Sequence, residues 1–364
     1  MENDELKVLH VDDAIDWRGG QQQAFYLFSE MQKRGYKTEM LCQPGSLLEE
    51  RCRKNNLPLH TVRMRNELDF IAAWKIARYC KKHGFTVFHA HTAHALSLGI
   101  MVKMLNAPIT LFASRRVDFS TRKTAMSVWK YNNRHLKKII CISNEIKNVL
   151  INDGINADKL TTIYDGIDLK KFHHFNRDET VCTQWGIPQN HFIVGTVAAL
   201  VGHKDYPNFL EAAKIVKDSN KNISFIAVGG GKDEHKLRQL AAKLELGNRF
   251  IFTGFQKNVG PIFRCFDLFV AASNKEGLGT SVLDALALAI PVVSTDAGGL
   301  PEAVQHNYNG LVVPKKNYKA LAAAILTIAT QPDLHAKFSK FALPSVEKFA
   351  IHVMVDKTIE LYLQ

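Results

Sequence analysis

Residues 268–295 read Leu268-Phe-Val-Ala-Ala-Ser-Asn-Lys-Glu-Gly-Leu-Gly-Thr-Ser-Val-Leu-Asp-Ala-Leu-Ala-Leu-Ala-Ile-Pro-Val-Val-Ser-Thr295. An apolar run, Leu268 to Ala272, enters a glycine-rich turn. A helical stretch follows from Ser281 to Ala289, and after a short link comes a second apolar run, Pro291 to Thr295. Two buried strands joined by a helix read as one unit of a parallel sheet. Ligands of such sheets bind beyond the carboxyl ends of the strands, so chemistry is expected in the turn. Gly277 and Gly279 let backbone approach a ligand closely. The amides of Gly279, Thr280 and Ser281 open a helix, where unpaired N–H groups and the helix dipole suit a diphosphate. Glu276 can accept hydrogen bonds from sugar hydroxyls, and Asp284, about one helical turn further on, from a second diol such as a ribose. The same loop also suits a plain helix cap, with Thr280 or Ser281 at the N-cap.

The alternation extends outward in both directions. On the amino-terminal side, strands are expected at Lys7–Val11, Thr38–Cys42, Leu59–Val62, Phe85–His89, Ile109–Ala113, Lys138–Ile142 and Leu160–Tyr164. Helices fall between them at Gln21–Arg34, Leu47–Asn55, Phe70–His83 and Ser143–Leu150. The pattern restarts at Phe192–Ala198 and runs through Ile223–Val228, Phe250–Thr253, Leu268–Ala272 and Pro291–Thr295 to Leu311–Val313. Two successive runs imply an α/β protein of two Rossmann-like parallel-sheet domains facing across a cleft, residues 1–172 and 173–345, with a hinge in Asp168–Pro188.

Length and composition agree: 364 residues, 46% hydrophobic and 23% charged, suit two globular domains and exclude disordered and collagen-like chains. Six scattered cysteines with no C-x-x-C pair read as reduced thiols of a cytoplasmic protein. Met1–Lys7 is acidic where a secretory signal is basic, and no run of about 18 apolar residues occurs. The formal net charge is +12. Most of it lies in the first half, and Arg115–Lys138 holds eight cations against one acid, Asp118. That stretch suits an anionic membrane surface or an anionic acceptor. It lacks the aromatic signature of an RNA-binding module, so nucleic acid is not expected as a partner. His89, His91 and His94 resemble a metal cluster in spacing, yet no metal is expected there. No D-x-D exists to clamp a divalent ion on a donor.

The stretch Glu276-Gly-Leu-Gly-Thr-Ser-Val-Leu-Asp284, continuing through Ala-Ile-Pro-Val-Val to Gly298-Gly-Leu-Pro-Glu302, resembles the donor-site signature of the GT-B retaining glycosyltransferases of family 4. The resemblance spans nearly the whole chain. It takes in Arg18-Gly-Gly-Gln21, Val87-Phe-His-Ala-His91, Cys141-Ile-Ser-Asn-Glu145, Ile163-Tyr-Asp-Gly-Ile-Asp168, Val228-Gly-Gly-Gly231 and Phe252-Thr-Gly-Phe255. Departures are Asp284 for the usual Glu, Ala289 for Gly, Asp165 for Asn, and Ala199 where an Arg that neutralises the donor diphosphate is usual. Lys204, its companion cation, is retained. The family's histidine after T-x-F is absent, and Ser114, Arg115 and Arg116 stand there.

The resemblance implies a metal-independent glycosyltransferase moving a sugar from a nucleotide-sugar donor, UDP-sugar favoured over GDP or ADP, to a glycan or lipid-linked acceptor. The setting would be synthesis of lipopolysaccharide or another envelope polysaccharide, at the inner face of the cytoplasmic membrane. No cofactor is implied. Glu276, Lys204, His91 and Arg115 are the implied catalytic residues. Gly19, Gly20, Gly229, Gly254, Phe255, Gly279, Thr280, Ser281 and Asp284 would bind the donor, and Arg18, Gln21, Arg116 and Asp118 would face the acceptor. The segment 346–364 resembles the family's last helix, which returns to the first domain. A nucleotide-sugar 2-epimerase on the same fold, or a basic binding protein without activity, are the alternatives.

Overall fold

Residues 6–121, 125–220 and 222–364 are described by a computed structural model, in which strand and helix alternate twice. The first series is β1 (Lys7–Asp12), α1 (Gly19–Lys33), β2 (Lys37–Cys42), α2 (Leu47–Lys54), β3 (Leu59–Thr61), α3 (Phe70–His83), β4 (Val87–Ala90), α4 (Ala93–Met104), β5 (Thr110–Arg115), α5 (Ala125–Asn132), β6 (Leu136–Cys141), α6 (Asn144–Asn152) and β7 (Leu160–Thr162). The second is α7 (Glu179–Thr183), β8 (Phe192–Val197), α8 (Tyr206–Ser219), β9 (Ile223–Val228), α9 (Glu234–Lys243), β10 (Phe250–Gly254), α10 (Gly260–Phe263), β11 (Leu268–Ala271), α11 (Thr280–Ala287), β12 (Val292–Thr295), α12 (Leu300–Ala303), β13 (Gly310–Val313), α13 (Tyr318–Thr330) and α14 (Pro332–Val346), and α15 (Ile351–Leu363) follows.

The first series forms a seven-stranded sheet in the order β3-β2-β1-β4-β5-β6-β7 and the second a six-stranded sheet, β10-β9-β8-β11-β12-β13. Neighbouring strands in both are parallel. In each, strand order reverses beside the first strand of the series. That reversal opens a crevice at the strand ends where ligands bind in such sheets.

The chain divides into two compact units, Met1–Gly166 with Phe349–Gln364, and Ile167–Lys348. The last helix joins the first unit through its own apolar stripe. Val355, Ile359 and Tyr362 of α15 are buried with Leu6, Val8, Leu27 and Met31 in one cluster. Each such side chain contributes about 1.5–3 kcal/mol on burial, enough to hold a 13-residue helix in place. The second unit's core gathers Val194, Phe225, Leu268 and Val293 of its strands with Leu210 and Leu321 of its helices.

Two features differ from what the sequence leads one to expect. Helix α4 has no amphipathic period to reveal it, because Ala95, Leu96, Leu98, Ile100 and Val102 are buried on nearly all sides. Cys182 and Cys265 are joined as a disulfide, with Cα atoms 5.5 Å apart, which corrects the expectation of six separate thiols. The two lie 83 residues apart, beyond the reach of any local spacing rule. Cys42, Cys52, Cys80 and Cys141 are free and buried. Burial pushes the Cys42 thiol up to about 11 and Cys52 to about 12.

Candidate active site

In the second unit, the turn after β11 and the loop after β8 meet in an open pocket lined by Lys204, Ser273, Glu276, Gly279 and Ser281. Lys204 Nζ donates directly to Glu276 Oε2. Ser273 Oγ donates to the same oxygen at 3.2 Å, which fixes the carboxylate at the pocket wall. The backbone of Glu276 is held from behind by the turn after β12. Gly298 adopts φ +55°, and a Cβ there would lie 1.8 Å from the Glu276 carbonyl oxygen, so only glycine allows the approach. The Gly299 amide donates to that carbonyl at 3.0 Å.

Gly279, at φ +79°, is the N-cap of α11, and among the described residues no side chain caps this helix. Neither Thr280 nor Ser281 is therefore the N-cap. The amides of Val282 and Leu283 are bonded to the Gly279 carbonyl at 2.9 and 3.2 Å. The earlier amides at the helix start are thus positioned to receive an anion beside Lys204. Asp284 lies further along α11, paired with Lys171 at 3.1 Å. Burial raises the Asp284 carboxyl above its ordinary range, against the opposing pull of Lys171. Gly229 and Gly254 meet through a 3.0 Å bond from the Gly229 amide to the Gly254 carbonyl. Phe255 beside them is 81% exposed and offers an aromatic face to solvent. Ala199 follows β8 and is exposed.

In the first unit, the ends of β1, β4, β5 and β7 gather a different set. A Cβ on Gly20 would meet Arg116 Cδ at 3.8 Å, whereas Gly19 faces open space. Arg116 Nε pairs with Asp165 Oδ1 at 3.1 Å, and Nη1 lies 3.5 Å from His91 Nδ1. His91 Nε2 meets His10 Nδ1 at 3.0 Å. His89 is held by Tyr362 at 2.5 Å and Ser114 at 2.8 Å. The nitrogens of His10, His89 and His91 lie within 4.8 Å of one another, a spacing that could hold a metal ion. Of these nitrogens only His10 Nε2 finds no partner among the described residues. Burial lowers all three rings, His10 to about 3 and the others well below the usual value, so they are neutral at pH 7. His94 stands apart, 2.7 Å from Asp13.

The remaining candidates of this unit point elsewhere. Arg115 donates to the Tyr131 hydroxyl at 3.1 Å and the Phe119 carbonyl at 2.5 Å. Arg18 pairs with Asp16 at the surface, and Gln21 donates to both oxygens of buried Asp12. Asp118 lies half-buried in the loop after β5. The structure thus collects Glu276, Lys204, Gly279 and Ser281 at one pocket, and Gly20, His91 and Arg116 at one strand-end cluster. Arg115 and Arg18 are turned aside. Sequence reasoning misses Lys171 and Asp12, the partners of Asp284 and Gln21. Asp12 stands at the end of a strand, a position that could have singled it out, but Lys171 is 113 residues from Asp284.

Comparisons with known proteins agree with this architecture. The family Glycosyltransferase Family 4 matches residues 17–171, and the family Glycosyl transferases group 1 matches residues 178–343. The chain is 22% identical to the UDP-Gal:alpha-D-GlcNAc-diphosphoundecaprenol alpha-1,3-galactosyltransferase of Escherichia coli, covering 98% of this chain and 97% of that one. It is 26% identical, over 65% of its length and 62% of the relative's, to the N,N'-diacetylbacillosaminyl-diphospho-undecaprenol alpha-1,3-N-acetylgalactosaminyltransferase of Campylobacter jejuni. Among solved structures, Anabaena HepE in complex with UDP superimposes with a TM-score of 0.87 at 20% identity, over 98% of this chain and 99% of that one. With family patterns matching both halves, and the GT-B fold shared with solved glycosyltransferases, the chain belongs to the family 4 glycosyltransferases and is a transferase of sugars.

Proposed function

We propose that this glycosyltransferase moves a sugar from a nucleotide donor, a UDP-sugar in preference to GDP- or ADP-sugars, to a hydroxyl of a glycan or lipid-linked acceptor, retaining the anomeric configuration. Its setting is the synthesis of lipopolysaccharide or another envelope polysaccharide, at the inner face of the cytoplasmic membrane. The observation that carries the donor reading is the Glu276–Lys204 pair beside the start of α11, where among the described residues no side-chain cap competes for the amides. Paired with each other, cation and carboxylate are both satisfied. A donor diphosphate draws Lys204 and the amides of Gly279 to Ser281 onto its oxygens and leaves Glu276 to hold sugar hydroxyls. Charge developing on the departing nucleotide is then met by donors already in place, and preorganised stabilisation of this kind is usually what lowers a barrier most. These groups supply the positive charge without a metal.

The acceptor class rests on the two relatives whose named activities concern undecaprenol-linked sugars, and the UDP preference on a structural neighbour crystallised with UDP. His91 and Arg116 are the groups offered by the first unit to the acceptor, and Gly20, beside Arg116, is the backbone offered to the donor. A thermal-shift screen of UDP, GDP, ADP and CMP tests the reading. UDP at 100 times its Kd should raise the midpoint by roughly 5–10 °C, since binding to the native state adds about 2.7 kcal/mol. Transfer from a UDP-sugar to an undecaprenyl-diphosphate-linked sugar should follow. A midpoint indifferent to every nucleotide would remove the donor assignment.

A further inference from the structure

Three neighbouring helices of the first unit, α3, α4 and α5, carry six cations and not one acid: Lys75, Arg78, Lys81, Lys82, Lys103 and Lys130. The same helices are where apolar side chains are left in water. Phe70, Ile71 and Trp74 of α3, Met104 of α4, and Met126 and Trp129 of α5 are all exposed. In the second unit only Phe255, Tyr308 and Tyr318 are large, apolar and exposed among the described residues. Single exposed apolar residues are ordinary, as Ile15, Leu47 and Ile151 of the same unit are, but six on three neighbouring helices mark an interaction surface.

The cluster has a shape. Ile100, Met101 and Met104 of α4, Met126 and Trp129 of α5, and Leu68 line an open groove. A helix normally buries such apolar side chains, yet none of the described residues fills the space between them. The groove is a fixed feature. Lys130, buried at its base, donates to Glu67 at 2.9 Å and to the Ala93 carbonyl at 3.2 Å, which ties α5 to the start of α4 and to the turn before α3. Ser97 Oγ donates to the same Glu67 oxygen at 3.0 Å. Lys130 is therefore spent internally, as is Arg115, and Arg116 belongs to the strand-end cluster with Asp165, although all three lie in the cationic stretch 115–138. Arg122 and Lys123 of that stretch lie outside the described residues. The cations left for a partner near the groove stand on α3. Lys75 and Arg78 are exposed, no carboxylate among the described residues pairs with either, and Arg78 lies 5.7 Å from the exposed ring of Trp74.

We infer that α3, α4 and α5 form a docking face for an anionic lipid bilayer, with Trp74 and Trp129 entering the headgroup boundary and acyl chains occupying the α4–α5 groove. The inference rests on the acceptor reading above and names the surface that would bring the enzyme to a lipid-linked acceptor. A bilayer is the occupant because the face combines exposed indole rings, an open apolar groove and helices whose charged residues are all cations, the carboxylate that lines the groove, Glu67, being paired with Lys130. That is the composition of an element lying in an anionic interface. Among the described residues none of its helices is long and apolar enough to span a membrane.

The test is flotation of the full chain with phosphatidylcholine vesicles and with vesicles carrying phosphatidylglycerol, at low and high salt. Binding to the anionic vesicles alone is expected, weakened by salt. Each cation near an anionic leaflet is worth about fivefold in partitioning, so the double variant Lys75→Glu, Arg78→Glu should lose at least ~25-fold. The variant Trp74→Ala, Trp129→Ala should lose binding at low salt as well, together with quenching of tryptophan emission by brominated lipid. UDP binding, measured on the same variants, should stay unchanged, which shows that they fold. Equal partition into both vesicle types, or partition untouched by either double variant, overturns the inference. So does a concentration-dependent dimer abolished by the variants in a protein that ignores vesicles, because the face then belongs to a second copy. Loss of nucleotide binding in the unaltered chain would fall on the donor assignment, while vesicle binding is read independently.

Discussion

Arg116 Nε lies 3.1 Å from Asp165 Oδ1, with both side chains largely withdrawn from solvent at 13% and 6% exposure. These residues are two of the chain's departures from its family pattern, an arginine near the missing histidine and an aspartate where asparagine is usual. They meet as an ion pair. Burial pushes the Asp165 carboxyl above its ordinary range, and Arg116 opposes that shift.

Removing one member should therefore cost more than removing the pair. Arg116→Ala should destabilise the protein by about 3–5 kcal/mol, because it strands a buried carboxylate. Adding Asp165→Asn should recover at least about 1 kcal/mol of that loss. Urea denaturation of the two variants measures the difference. Equal stabilities would show that the pair is not coupled.

Glu276→Ala should lower turnover by about 100-fold or more and leave stability within about 1 kcal/mol, since the side chain lines an open pocket rather than a core. Lys204→Ala should weaken UDP binding as well as turnover, because the phosphate loses the lysine that lines this pocket. Calorimetric titration with UDP separates the two variants. Wild-type turnover in Glu276→Ala would contradict the assigned role.

Turnover should persist in excess EDTA, given Lys204 and the helix amides at the diphosphate position. Abolition by the chelator, with recovery on adding Mn²⁺ or Mg²⁺, would contradict metal independence.

The buried histidines make the fold acid-sensitive. His10 falls to about 3 in the folded chain, below its unfolded value near 6.5, so the unfolded state binds the extra proton. Stability is therefore full above about pH 6.5 and falls as pH drops towards 3. The slope is up to about 1.4 kcal/mol per pH unit for each such ring. Asp12 and Asp165, whose carboxyls are raised by burial, act in the opposite sense. The histidine effect should be read between pH 6.5 and 5. Urea melts across that range should show the slope, and His10→Gln should make it shallower.

Ala289 occupies the family's glycine position and sits at φ +61°, exposed after α11. Left-handed backbone costs an alanine about 1–2 kcal/mol, while glycine costs up to about 1 kcal/mol in unfolded-chain entropy. Ala289→Gly should thus be neutral or stabilising by up to about 1 kcal/mol, raising the midpoint by a few degrees. A lower midpoint would show that Ala289 carries no such strain.

The sequence by itself determined the two α/β runs, the strands in order with the amphipathic helices among them, and the donor loop. These are written in local periods and in turn residues close together along the chain. Leu268–Thr295 alone shows a strand, a glycine turn, a helix and a strand, and Glu276 and Gly279 follow from where the turn must fall. Tertiary structure alone decided which charges remain available. Arg115, Arg116 and Lys130 read alike in the sequence, yet one turns to Tyr131, one to Asp165 and one to Glu67. Asp165 lies 49 residues from Arg116, Lys171 lies 113 from Asp284, and Cys265 lies 83 from Cys182. Such pairings arise when the fold brings segments distant along the chain together, and no local pattern records them. The groove between α4 and α5 is of the same kind: the apolar residues are legible, but whether another helix covers them is settled only by packing.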